Sequence, residues 1–469
     1  MRFTLSAALL FFTGIIGSYA QGYKEKFADS EYSKGHYSVA LGFYKEILSE
    51  DSTDVHAEVN LADCYRRLYD YKNAEIAYKK LIDSHTGLDP EIYRYYAETL
   101  ANNKKYPESE VWFKKYNQMN NADSRSQNYL QTYTKFGSIS ADSALYKVEI
   151  TNINSTATDF GPMYYKKGLV FCSGRHLSEG VKRVFSYDQS AFLDLYYVDD
   201  LSTLRNANVN LKSDTLSTKK KEIHHHDLDH SDFSEATSND SRTVGTYHVH
   251  KLDSSANAAV KPFDDHINSK YHEGPVTFYN GEDSMIFTRN NQLKNKVGQD
   301  AAGRTKLKLY TAVHTEKGWD KIRDLPFNND EYSVGQPALS PDNKKLYFVS
   351  DMPGGIGGTD LYVSEYTGGQ WGKPVNMGKS VNTEGNEMFP FIDHDGNMYF
   401  ASNGHGGFGG LDIFFYNMNG PGKVAVKNIG TPLNSPADDF GIIIDKGKRS
   451  GYFASNRLHG GTDDNIYSF

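Results

Sequence analysis

Cysteine is almost absent from this chain: Cys64 and Cys172 are the only two in 469 residues. They fall in segments that the patterning assigns to different domains. A disulfide framework is therefore excluded, and buried free thiols are expected. Charge of one sign is also scarce, with 51 Lys and Arg against 59 Asp and Glu and a net charge of −8. No long basic run occurs, which sets nucleic acid aside as a partner. After the first twenty residues no run is apolar enough to cross a membrane, so no span is expected in the mature chain. Catalytic signatures are missing as well. There is no Gly-x-Ser-x-Gly elbow and no His-Glu-x-x-His zinc motif. Gly404-x-Gly406-x-x-Gly409 spells a dinucleotide fingerprint. That motif needs a helix N-terminus for the pyrophosphate, and the strand pattern Leu411 to Phe415 follows instead. Gly378-Lys379-Ser380 looks like the end of a phosphate loop, but Lys373 stands where the first glycine belongs. No cofactor, metal or catalytic set is expected.

Aromatics and glycine are what the chain has in quantity: 34 Tyr, 26 Phe and 41 Gly. Together they favour short strands joined by tight turns. The length exceeds one ordinary core, so at least two domains are expected. Residues 1–20 read as a cleaved secretory signal. Arg2 gives a positive start, Leu5 to Ile16 an apolar stretch, and Ser18-Tyr19-Ala20 a small-x-small site before Gln21.

Residues 21–137 repeat with a period of 34 to 35. Tyr37, Tyr71 and Tyr106 are in phase, as are Ala40, Ala74 and Ser109, and Tyr44, Tyr78 and Phe113. Ala28, Ala62 and Ala97 form a leading set. Small residues let paired helices approach, and the aromatics fill the space between them. The spacing resembles the tetratricopeptide repeat, two helices per unit, with a final capping helix at residues 123–135. By that resemblance, a concave groove carries His56, Asp63, Arg66, Arg67, Glu91, Arg94 and Glu98 as candidate partner-binding residues. An ordinary solvated helix surface is the competing reading.

Residues 138–469 repeat differently. Phe171, Phe287, Phe348, Phe400 and Phe453 each sit in the second of four short strand patterns. Four strands per unit at this spacing predict an all-β propeller of five blades, with six as the alternative. The last unit lacks a fourth strand, and the segment 148–155 is spare, so it is expected to pair into the last blade and close the ring. The gap of 116 positions from Phe171 to Phe287 holds a polar insertion at about 200–257, with His224, His225, His226 and His230. Adjacent histidines alternate sides in a strand, and no clear amphipathic helical face carries a ligand spacing, so the cluster reads as a solvated loop. Strand order places the glycine-rich loops 354–358 and 404–410 on one face. The loops carrying Asn154, Asn268, Asn328, Asn382 and Asn434 share that face, with Asp159, Glu273, Glu387 and Asp439 as candidate partner-binding acids. The helical array, the insertion and Phe469 are expected on the opposite face. Asp360 and Asp412 each lie ten residues after a strand-end serine and read as acceptors for loop amides.

Several motifs carry a family resemblance: Tyr271-His272-Glu273-Gly274-Pro275, Ser340-Pro341-Asp342, Ser350-Asp351-Met352-Pro353-Gly354-Gly355, Glu387-Met388-Phe389-Pro390-Phe391 and Gly409-Gly410-Leu411-Asp412-Ile413-Phe414. They resemble the WD40-like (PD40) propellers of Bacteroidetes envelope proteins. With the leading repeats, the chain is similar to the periplasmic components of the type IX secretion system that join both modules. The resemblance implies a non-enzymatic scaffold in the periplasm, associated with the outer membrane, whose partners are other envelope or secretion proteins. A glycan- or peptidoglycan-binding propeller is the alternative, and a propeller hydrolase or lyase a second one. Members commonly continue into a carboxypeptidase-regulatory-like domain and an OmpA-like peptidoglycan-binding domain. Neither precedes Phe469 here, and the polar insertion after Asp200 is a further departure.

Overall fold

A computed structural model describes residues 22–469 except 141–142, 176–191, 208–258, 270, 294–295, 420–424 and 459–462. The signal-like segment and the histidine cluster therefore lie outside the described residues. No described helix is long and apolar enough to cross a membrane.

The first part of the chain is a stack of helical hairpins. Helix α1 covers residues 22–33. It is followed by α2 (Tyr37–Glu50), α3 (Val55–Arg67), α4 (Tyr71–Ser84), α5 (Pro90–Asn102), α6 (Tyr106–Met119), α7 (Ser124–Thr134) and the single turn α8 (Phe136–Ile139). Aspartates start four of them. Asp54, Asp70, Asp89 and Asp123 each accept a first-turn backbone N–H, satisfying donors that the helix itself leaves orphaned. The repeating residues do the packing. Ala28, Ala40, Ala62, Ala74 and Ala97 are fully buried, and so, to within 1%, are Tyr44, Tyr78 and Phe113. Ser109 replaces the small alanine of the third unit and satisfies its hydroxyl by donating to the Ala97 carbonyl at 2.7 Å.

The second part is a five-bladed ring of antiparallel sheets. Blade one is Asp159–Tyr165, Gly168–Ser173, Asp194–Val198 and Lys261–Pro262, and blade two is Glu273–Tyr279, Ser284–Asn290, Leu307–Thr315 and Gly318–Asp324. Blade three is Val334–Leu339, Lys345–Ser350, Asp360–Thr367 and Val375–Asn376, with Gln370–Trp371 as a small added pair. Blade four is Glu387–Ile392, Met398–Ser402, Asp412–Tyr416 and Lys427–Asn428. Blade five is Asp439–Ile444, Gly451–Ser455 and Asn465–Ser468, completed by Glu149–Ile150. Glu149 pairs with Ser468 and Ile150 with Tyr467, so the N-terminal strand closes the ring as its spare pattern predicts. The five in-phase phenylalanines of the second strands are all fully buried. Cys64 and Cys172 are buried free thiols, one in each part.

Each innermost strand slips its register by one residue at an equivalent point. The bulges turn Pro162, Pro275, Pro337, Pro390 and Ile442 towards the centre, where they line an apolar channel. Proline suits a bulge, because it leaves no N–H unpaired there.

Candidate functional site: the joint between array and propeller

The five asparagines of the shared face have one structural task. Each closes a two-bond clamp on the third strand of its own blade. The Asn434 amide donates to the Ile413 carbonyl at 2.9 Å, and its oxygen accepts from Ile413 N–H at 2.7 Å. Asn154 does the same with Ile466, Asn268 with Leu195, Asn328 with Leu309 and Asn382 with Leu361. A side-chain amide carries the same donor and acceptor as a peptide unit, so it extends the ladder at the blade end.

The four acids predicted to face a partner, Asp159, Glu273, Glu387 and Asp439, are all fully buried. Each accepts hydrogen bonds from a Ser or Thr four residues earlier: Ser155, Ser269, Thr383 and Ser435. Three also hold an arginine: Arg175 on Asp159 at 2.6 Å, Arg289 on Glu273 at 2.9 Å, and Arg457 on Asp439. These acids organise the loops beneath the face. Asp360 and Asp412 accept the loop amides of Ile356 and Gly357, and of Phe408 and Gly409, as their spacing predicts.

The groove candidates of the array are likewise engaged with one another. Asp63 is only 5% exposed. It receives Arg66, Arg67 and the Tyr32 hydroxyl. Burial pushes its carboxyl up, but the two guanidinium groups outweigh that and hold it at about 2. Arg94 pairs with Glu91 and Glu98. The Arg66 and Arg94 guanidinium groups lie 4.0 and 4.3 Å from the centre of the Tyr95 ring. The Tyr116 hydroxyl joins Glu91 to Asp123, which holds Arg125. His56 stands apart at the exposed end, 2.8 Å from Asp29. With Glu25 and Asp29 it makes the one His–acid group among the described residues close enough to share an ion.

The array docks on the glycine-rich face, not on the opposite one. Just ahead of the ring-closing strand, Tyr146 lies beside Phe469, 6.3 Å between ring centres. Between α8 and that strand, Ser143–Leu145 form a single 3-10 turn. Ile139 ends against Gly430, near the start of the loop that carries Asn434.

The docking elements are α7 and the blade-four loop 403–410. The Asn128 amide donates to the Gly404 carbonyl at 2.8 Å, Thr132 to Gly406 at 3.1 Å and Tyr129 to Gly409 at 2.9 Å. Glu384 caps the start of α7, accepting from Ser124 N–H at 3.3 Å and from its hydroxyl, an anion placed where the helix dipole favours one. Asn102 reaches the Pro436 carbonyl at 3.3 Å, and Phe136 stacks on Phe408 at 5.1 Å. Gly406 has φ of +74°, and a Cβ there would stand 2.5 Å from the Asn128 backbone. At Gly409 a Cβ would lie 1.9 Å from the Pro436 carbonyl oxygen. The loop is thus glycine-rich because two partners press on its backbone, which also explains why it is no phosphate cradle.

None of Asn102, Ser124, Asn128, Tyr129, Thr132 or Glu384 is singled out by the sequence. One signal was available: Ser124, Asn128 and Thr132 recur every four residues and mark one face of α7. That polar stripe reads as the solvated side of a capping helix until the glycine loop is placed against it.

No known protein family matches the chain, and no curated protein does. Solved structures give distant likenesses only. A puromycin-hydrolyzing peptidase of Mycobacterium tuberculosis has a TM-score of 0.28 at 14% identity, over 43% of this chain and 27% of its own. A putative TolB from Agrobacterium tumefaciens gives 0.30 at 15%, over 45% and 66%. An alpha-L-arabinofuranosidase from Lactobacillus brevis gives 0.34 at 11%, over 68% and 92%. The chain therefore spans about a quarter of the peptidase and just under two thirds of the TolB chain. These values carry no argument about activity, and the propeller assignment rests on the closed ring of sheets itself.

Proposed function

We propose that this protein is a non-enzymatic adaptor of the bacterial cell envelope, a PorE-like periplasmic component of a type IX secretion or related complex. Its array is of the tetratricopeptide type and its ring a PD40 propeller. The observation that supports this reading is the joint. Six side chains from three helices meet three propeller loops and fix a helical stack to a β-ring, which gives one rigid body with two different binding surfaces. The acids that a hydrolase or lyase would need on the propeller face are instead buried under it and bonded to their own loops. That arrangement favours holding partners over transforming substrates. The PD40-type motifs sit where such a role requires them, in the strand ends and loops that shape the ring. The signal-like pattern of residues 1–20 supports export to the periplasm, where such an adaptor would work.

The test is affinity capture of the tagged mature chain from envelope extracts. Recovery of defined envelope proteins, lost when the outer surface of the array is altered, supports the adaptor. Recovery of nothing above a tag-only control contradicts it. Sedimentation with purified sacculi separates the peptidoglycan-binding alternative: co-sedimentation without envelope proteins would replace the adaptor reading.

A further inference from the structure

The docking blade differs from the ion-paired blades in one respect. In blades one, two and five the buried acid at the start of the first strand carries an arginine. In blade three that place is taken by Val334, the partner of the strand-end Ser350. In blade four, Glu387 is fully buried and no described cation reaches it. Its oxygens take only Thr383 N–H and the hydroxyls of Thr383 and Ser402. The role that arginine plays at the neighbouring carbonyl in other blades falls to His405, whose Nε2 lies 2.7 Å from the Val381 carbonyl. Burial pushes His405 towards its neutral form, so it brings no charge.

Two more acids under the same joint share this condition. Asp412 holds up the loop 406–409 through Oδ2, while its buried Oδ1 has no hydrogen-bond partner among the described residues. Asp438 accepts from Leu411 N–H at 2.7 Å and is held by Asn456. Every loop that touches α7 or Asn102 is thus shaped by a buried acid. Glu387 shapes 383–387 and 402–405, Asp412 shapes 406–409, and Asp438 binds Leu411 and adjoins Pro436. The groups facing them offer little compensation. Asp360 faces Glu387. Asp439 faces both Asp412 and Asp438. From the array, the phenols of Tyr106, Tyr129 and Tyr133 face Asp412. Arg457, the cation of this region, is committed to Asp439 and to the carbonyls of Pro432 and Leu433.

We infer that the joint is a proton-dependent latch: protons on Glu387, Asp412 and Asp438 keep the array seated on blade four, and their loss at higher pH loosens it. Burial raises Glu387 to about 7 and Asp438 to about 6. Burial, then the Asp439 charge, raises Asp412. A carboxyl raised in the seated state binds its proton more tightly there than in the open one. The joint is therefore tightest below the ordinary carboxyl range and weakens as pH climbs through 6 to 7.

The test is amide hydrogen exchange on the intact chain between pH 5.5 and 8.5, corrected for the intrinsic pH dependence of exchange. Protection of residues 124–134 and 403–410 is expected to fall about tenfold or more, while strand 168–173 of blade one, where Arg175 neutralises Asp159, holds steady. E387Q is expected to shrink that fall. D438N, which keeps an acceptor for Leu411 N–H, serves as a second variant if E387Q folds poorly. The inference is overturned if the joint and blade one change in parallel, if the joint does not change, or if both variants keep the full fall.

Discussion

Replacing Gly406 by alanine separates docking from folding, because the structure assigns its cost to two terms. The first is backbone. Gly406 has φ of +74°, and an L-residue in that region costs ~1–2 kcal/mol. The second is contact. The new methyl would stand 2.5 Å from the carbonyl of Asn128 and 2.6 Å from Tyr129 N. Helix α7 must retreat, which weakens the bonds from Asn128, Tyr129 and Thr132 to the loop. Those are worth ~1 kcal/mol each, so the contact term comes to ~3 kcal/mol. Gly368 supplies the control. Its φ is +60° and nothing lies within 4 Å of an added Cβ, so G368A carries the backbone term alone. Urea unfolding read by helical circular dichroism and by tryptophan fluorescence gives the assay. Trp319 and Trp371 report the ring and Trp112 the array. G406A is expected to lose ~3 kcal/mol more than G368A, with the helical signal unfolding first. Equal losses for the two variants, with coincident transitions, would refute the docking geometry.

Other outcomes follow from the same contacts. Asp63→Ala strips the partner from the part-buried Arg66 and Arg67, and should cost ~2 kcal/mol in the array by thermal unfolding. Acid should act on the same network. Burial opposes but does not overcome the guanidinium and hydroxyl groups that hold Asp63 and Asp123 at about 2. Their contribution is present above the ordinary value near 3.8 and is lost as pH falls towards 2, seen as a falling helical melting temperature. Asn434→Ala removes both clamp bonds to Ile413 and should cost ~2 kcal/mol, whereas an unchanged urea midpoint would remove the clamps from the account. Mutating Ile150 to proline blocks its pairing with Tyr467 and should expose the edge of blade five, detected as aggregation during gel filtration.

Much of this architecture is legible in the chain because it repeats. The period that aligns Tyr44, Tyr78 and Phe113 is a packing requirement, and so is the row of buried phenylalanines in the second strands. The spare strand at 148–155 is legible for the same reason, since a ring leaves one partner unaccounted for. Asp360 and Asp412 are legible as loop acceptors because a carboxylate after a glycine turn has few other uses. What the sequence conceals is pairing between parts that do not repeat. Asp63 and Arg94 look like groove residues until their partners, three and four residues away and on neighbouring helices, bury them. Glu387 looks like Glu273, yet only one of them has an arginine. The side on which the array sits depends on the contacts of α7 with the loop 403–410, and no periodicity records them.

The central claim is that array and propeller act as one rigid adaptor. It is tested most directly by the spread of distances between spin labels at Lys114 on α6 and Lys317 at the rim of blade two. Cys64 and Cys172 are buried, so introduced thiols label selectively. A single narrow distance distribution in the intact chain at pH 5 is the predicted result. A broad distribution, as two tethered domains would give, would contradict it.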